Sequence, residues 1–456
     1  MAKLKLISWP NLEDDLAPEA LTEVTMKERK AKILNRMKTA GVECLIIYAD
    51  LEHGSNFEYL VGFLPRFEEA LLVLHATGEA YLILGNENLN KASKARIKNI
   101  PIHMPFFSLP NQPMNDRTVE EILGQSGIDN AKTIGIVGWK NFTSPVMENS
   151  KLFDTPNYLI SAIQTIAPDA ELTNETRLFI GDNGARTTMN ANEFAHYEFG
   201  AALAGNCILD AMKEIRVGCS EMEIAENLSA YGQPHNVVTI MASGERFVGA
   251  NIYPSNKKIQ LGDTISMTTG FKGGLESRGA FAIAAAAELP IGQKDYLEKI
   301  VYPYFDTVCH WLDSIHIGIL GAELYQEIEA VFPSETYGWH LNPGHLCADE
   351  EWMSSPIYPG SLEKIRSGML FQIDIIPSVP LYNGVSAESG IFLADEKLRK
   401  EIEEQYPDLW HRLKKRRKYM AEVLGIKLKE EILPTSAATA FCNPFLLDKS
   451  SAIVNA

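Results

Sequence analysis

The chain has 456 residues, 46% of them hydrophobic and 22% charged, which is enough to bury more than one core and predicts two or three domains. A net charge of −17 excludes a nucleic-acid surface, which needs concentrated Lys and Arg. The longest apolar run, Ala280 to Ala287, is far short of the roughly 20 residues of a membrane helix.

The N-terminus lacks a signal-peptide core, so neither secretion nor membrane insertion is expected. Six scattered cysteines without a CxxC pair predict reduced thiols and a cytoplasmic location. In the first part, "TMKERKAKILNRMKTAGV" reads as a helix, with Thr25 as N-cap and Gly41 as its stop. "ECLIIYA", "EALLVLHA", "EAYLILG" and "TIGIVG" read as buried strands, the middle two as a pair. Alternating helices and strands predict an α/β layer domain over residues 1–180.

The polar stretch "NGARTTMNAN" reads as a linker, followed by a long helix from about Glu193 and a second helix capped by Ser220. Strands are then expected at "NVVTIMAS", "DTISMTT", "GAFAIAAAAEL", "MLFQIDIIPS" and "SGIFLA", with helices at about 296–315 and 321–332. The basic run "RLKKRRKYM" reads as a solvated helical face rather than an interaction tail.

Potential chemistry collects in this second part. His340 and His345 share a Gly-Pro loop, and imidazoles titrate near neutrality, suiting them to proton transfer or metal ligation. Asp374 sits on an otherwise apolar strand, and Glu388 follows fourteen residues later at the start of the next one. If those strands pair, two desolvated carboxylates face each other, and they must share a proton or bind a cation.

Taken in order, "ASGERFVGANIYPSNKKIQLGD", "ISMTTGFKGGLESRG", "HLNPGH", "SGMLFQIDIIP" and "NGVSAESGIFL" resemble the motif series of the pita-bread fold family. That family contains methionine aminopeptidase, aminopeptidase P, prolidase and creatinase. The resemblance covers nearly the whole chain and implies an α/β (α+β) class. A creatinase/prolidase-type domain would occupy residues 1–180, and a pita-bread domain with a helix-covered antiparallel sheet 190–456. It also implies a homodimer.

The family's metal enzymes hold two ions with two aspartates, a histidine and two glutamates. Carried over, the histidine falls on His345 and the glutamates on Asp374 and Glu388. The first aspartate falls on Thr268 and the second near Leu275, beside Glu276 and Arg278. Asn251 stands where the family has a substrate-handling histidine, Trp352 near the place of a second one, and Ser386 replaces an arginine. In creatinase, which works without metal, the acid/base histidine falls on Asn251 and the substrate-gripping glutamates fall on Glu276 and Glu388.

The resemblance therefore implies, first, a metal-independent, creatinase-like hydrolase of a C–N bond in a small cationic compound, with no cofactor. His345, Glu276, Asp374 and Glu388 would be catalytic, with His345 or His340 as acid/base, and His340, Asn251, Arg278 and Trp352 would bind substrate. The first alternative is a Xaa-Pro aminopeptidase or dipeptidase with a reduced site, where His345, Asp374 and Glu388 hold one divalent metal such as Mn or Zn. The second is a binding protein of this fold without catalysis.

Overall fold

The structure, a computed structural model, describes residues 1–112, 117–249, 251–382 and 384–456. Ala250 and Asn383, inside two of the motif-like segments, lie outside the described residues. The chain forms two compact units, one of residues 21–187 and one of residues 1–20 with 188–456. The first twenty residues, expected with the N-terminal domain, belong to the second unit because β1 (Ala2–Leu6) pairs antiparallel with β15 (Ser451–Asn455). That pairing is between chain ends, which local patterns do not encode.

The unit of residues 21–187 is an α/β layer. Its strands are β2 (Cys44–Ala49), β3 (Ala70–His75), β4 (Ala80–Leu84), β5 (Ile100–His103), β6 (Thr133–Val137) and β7 (Glu171–Asn174), and they form a sheet in the order β5-β4-β3-β2-β6-β7. The strands β2, β3 and β4 are antiparallel neighbours, whereas β2–β6, β6–β7 and β4–β5 are parallel. Near-continuous apolar runs make β2, β3, β4 and β6, and Ile46, Val73, Ile83 and Ile134 meet in one core. The first helix runs Glu23–Ala40 and ends at Gly41 in the left-handed conformation, as expected. Its N-cap is Thr22, not Thr25: the Thr22 hydroxyl accepts from the Thr25 amide at 3.2 Å, so Thr25 already lies in the first turn.

The second unit is built on an antiparallel sheet. Its strands are β8 (Ile240–Ser243), β9 (Thr264–Phe271), β10 (Gly274–Phe281), β11 (His345–Leu346), β12 (Leu370–Ile373), β13 (Ser386–Leu393) and β14 (Ile432–Pro434). They lie in the order β11-β12-β13-β10-β9-β8, with β14 also on β13. The long helix, Ala191–Glu214, starts with a capping box between Asn190 and Glu193, and Ser220 with Glu223 makes another on the helix that follows. Its face carries Gly200, Ala201 and Ala204, small residues that let it lie against β9 and β10. Among the described residues, no helix is long and apolar enough to cross a membrane.

The basic run lies in the helix Pro407–Glu422, but it is not simply a solvated face. Arg412 and Arg416 are buried, both paired with Glu198 of the long helix, and Arg416 also binds Glu13. Partners more than two hundred residues away bury these charges, so the run itself gives no sign of it.

The β9–β10 turn is Lys272-Gly273, with Gly273 at φ +108° against the long helix. A Cβ there would meet the Tyr197 carbonyl, and one at Gly200 would meet the Lys272 carbonyl. Gly273→Ala combines a left-handed backbone with a backbone clash, so it should cost about 3 kcal/mol or more in chemical denaturation.

Candidate active site

Register places the chemistry. In β10–β9, Ser277 pairs with Thr268, and in β10–β13 Ser277 pairs with Glu388. In β12–β13, Ile373 pairs with Ser389, so Asp374 comes next to Glu388, and His345 pairs with Gln372 across β11–β12. Side chains alternate along a strand, so His345, Gln372, Asp374, Glu388, Ser277 and Thr268 share one face of the sheet. Loop geometry sets His345: Gly344 takes φ +126° beneath it, and the buried Trp311 indole donates to the Pro343 carbonyl at 2.6 Å.

His345, Asp374 and Glu388 each offer an atom within 4.8 Å of the other two, and all three are buried. His345 Nδ1 lies 3.3 Å from the Leu346 carbonyl, to which the neutral ring donates. That leaves the Nε2 lone pair inward, 3.8 Å from Asp374 Oδ2, with no hydrogen-bond partner, and Asp374 Oδ1 has none either. Burial pushes the His345 imidazole down to about 4, so it stays neutral at physiological pH. Burial, and then the Glu351 charge, push the Asp374 carboxyl up to about 7. Glu388 is raised well above its ordinary range by burial and then by Asp374, Glu351 and Glu276, with Arg278 opposing.

Glu276 is elsewhere. It pairs with Thr269 on the opposite face, where its carboxylate accepts from Arg278 at 2.9 Å and from the Ser389 and Ser436 hydroxyls. Arg278, also fully buried, donates in addition to the carbonyls of Ser277, Glu388 and Ala438 at 2.7–2.9 Å. The structure thus brings together His345, Asp374 and Glu388 and separates Glu276 and Arg278 from them by the thickness of the sheet. Trp352 is beside the cluster, its ring 5.5 Å from the His345 ring, and half exposed. His340 and Asn251 are exposed, and His340 is not among the residues that offer an atom to the cluster. Leu275 is buried two residues from Ser277 on the same side of β10, and the residue opposite Thr268 is Ser277.

Three further residues escaped the sequence reading. Gln372 is buried with its Oε1 unpartnered, Ser277 holds the Thr268 hydroxyl at 2.8 Å, and Glu351 acts electrostatically on both site carboxylates. Ser277 could have been found by counting back from a two-residue turn; the other two have no motif signal.

The donor set fits one divalent ion. An imidazole whose other nitrogen donates to a carbonyl, with two adjacent carboxylates, is the usual preparation for a metal ligand. Orphaned buried donor atoms at His345 and Asp374 point the same way. A second ion does not fit, because Thr268 and Ser277 offer only neutral hydroxyls bonded to each other.

No protein-family model matches the sequence, and no curated protein matches it. Solved structures do resemble it. A Xaa-Pro dipeptidase from Bacillus anthracis is 16% identical with a TM-score of 0.61, covering 82% of this chain and 96% of its own. A prolidase from Pyrococcus horikoshii is 18% identical with a TM-score of 0.61, over 80% and 95%. An X-Pro aminopeptidase from Thermotoga maritima is 16% identical with a TM-score of 0.61, again over 80% and 95%. The mixed α/β chain therefore has the pita-bread fold shared by prolidases, Xaa-Pro dipeptidases and aminopeptidase P.

Proposed function

We propose that the protein is a hydrolase of the Xaa-Pro dipeptidase or aminopeptidase kind, acting on a small peptide at a single divalent-metal centre held by His345, Asp374 and Glu388. The observation that carries this reading is the orphaned His345 Nε2 lone pair beside two buried carboxylates, neither of which forms an ion pair with a Lys or Arg among the described residues. A bound ion would neutralise the two carboxylates and supply Lewis acidity toward a scissile carbonyl. The chain's own residues do the rest. His345 stays neutral and oriented through the Leu346 carbonyl, the paired Thr268 and Ser277 hydroxyls bound the floor of the site, and Trp352 offers an apolar wall.

The metal-free, creatinase-like reading asks Glu276 and Glu388 to grip one cationic group. With Glu276 committed to Arg278 on the far face, that grip lacks its second carboxylate. A neutral imidazole pushed down to about 4 can accept a proton but is poorly suited to deliver one at neutral pH.

Elemental analysis of protein purified without chelator should give about one equivalent of a divalent transition metal, and His345→Ala should lose it. Less than about a tenth of an equivalent in the wild type, where such sites bind tightly, overturns the reading. Assay of Xaa-Pro dipeptides then separates the enzyme from a binding protein of this fold, since metal without turnover leaves only binding. We also propose a homodimer, testable by light scattering. A cytoplasmic location is proposed as well, supported by six cysteines that are all free.

A further inference from the structure

The geometry points to Glu351 as a specificity residue that receives a cationic amine of the substrate at the mouth of the His345–Asp374–Glu388 site. The inference rests on the single-metal reading above.

After His345 the chain leaves the sheet and returns, closed by an antiparallel bridge between Leu346 and Ser354 with backbone bonds of 2.7 and 2.9 Å. Residues 347–353 are therefore a hairpin loop standing beside the site. One arm is pinned. Asp349 is buried, accepts from the Tyr197 hydroxyl at 3.0 Å and pairs with Lys272 at 3.5 Å, while the Ala348 carbonyl accepts from the Gly273 amide. The returning arm carries Glu351 and Trp352, and Trp352 lies against the His345 ring.

Asp349 has a cation; Glu351 does not. It is half-buried and makes no hydrogen bond or ion pair with the described residues, an unusual state for a carboxylate on a short, well-anchored loop. Glu351 adjoins Trp352 on the loop that the Leu346–Ser354 bridge closes beside the site, and its negative charge raises both Asp374 and Glu388.

Charge bookkeeping then sets the ligand class. A divalent ion balances Asp374 and Glu388, and His345 is neutral. Arg278, the guanidinium behind the sheet, is taken by Glu276. Of the loop carboxylates, Asp349 is paired with Lys272 and Glu350 acts on Cys347, which leaves Glu351 as the one next to the exposed Trp352 indole with no pairing among the described residues. An ammonium group satisfies the carboxylate and is also attracted to the indole face. A neutral or acylated nitrogen leaves Glu351 unpaired in a partly desolvated position, which selects against it.

The test uses the full-length, Mn2+-loaded protein at pH 7 and two small probes, glycinamide and N-acetylglycinamide, titrated calorimetrically into wild type and Glu351→Gln. Wild type should bind the cationic probe at least tenfold more tightly. In the variant that preference should fall at least tenfold, with N-acetylglycinamide binding changed less than twofold and metal content unchanged. Equal affinity of wild type for the two probes, or a preference that survives in the variant, overturns the assignment. So does a variant that loses half its metal, since Glu351 would then be a ligand. Absence of metal from the wild type is a separate result, which overturns the single-metal reading but leaves the preference for the cationic probe to be read on the three carboxylates.

Discussion

Asp374→Asn should raise the stability of the metal-free protein at pH 8 by ~2–4 kcal/mol and abolish the stabilisation that Mn2+ or Zn2+ gives the wild type. The first half follows from the raised carboxyl. Asp374 titrates at about 7 in the fold, against about 3.9 when unfolded. For an acid raised on folding, the folded state holds its proton longer, so the contribution is present below pH ~4 and is lost as pH climbs through 7. A carboxyl raised this far by burial disfavours the fold by on the order of a few kcal/mol once both states are ionised. Asparagine has no charge to desolvate and removes the repulsion that also raises Glu388.

His345 has the opposite slope: its imidazole is depressed to about 4, so its contribution is present above pH ~6.5 and lost as pH falls toward 4. The two slopes oppose each other between pH 4 and 6.5, which makes pH 8 the diagnostic condition. The second half follows from ligation. Metal at ~100 times its dissociation constant adds ~2.7 kcal/mol to a protein that binds it only when folded, and Asp374→Asn removes one of three ligands. Thermal melts of both proteins, with and without metal, measure both halves. A variant that is destabilised without metal, or that keeps the metal-induced shift, refutes the assignment.

Arg278→Met should cost ~3–5 kcal/mol in urea denaturation, because it strands the Glu276 carboxylate in the interior. Arg278 and Glu276 are 2% and 1% exposed, and the guanidinium also ties together three backbone carbonyls from β10, β13 and the segment near Ala438. Burial raises the Glu276 carboxyl while Arg278, Ser436 and Ser389 pull it down, so loss of Arg278 leaves burial largely unopposed. Replacing both partners, as Arg278→Met with Glu276→Leu, should recover most of the loss, since an apolar pair of similar volume needs no desolvation. Were Glu276 a substrate grip, Glu276→Gln would instead raise KM at unchanged stability. A single Arg278→Met variant as stable as wild type would show that the pair is not structural.

Much of the site was legible because its residues sit in short motifs. The Pro-Gly loop, an acidic residue in an apolar strand and a glutamate opening the next strand made His345, Asp374 and Glu388 candidates, and resemblance to the pita-bread motif series set them in one site. Helix ends were equally local: Gly41 stops the first helix, and the Ser220–Glu223 box starts another. Thr22 displaced Thr25 as a cap by a single turn of helix, a boundary that local pattern resolves only coarsely.

By itself, then, the sequence determined the alternation of elements and the α/β class, because each is carried by residues near one another in the chain, whereas the pairing of β11, β12 and β13 brings His345, Asp374 and Glu388 together. Tertiary structure alone decided which face each carboxylate meets. The two-residue turn at Lys272-Gly273 sets Thr268 opposite Ser277 and Thr269 opposite Glu276, and alternation then sends Glu276 away from Glu388. It also decided that Arg412 and Arg416 are buried on Glu198, and that Glu351 makes no hydrogen bond or ion pair with the described residues. Register and long-range pairing fix these outcomes, and a one-residue change in either would have reversed them without altering any motif.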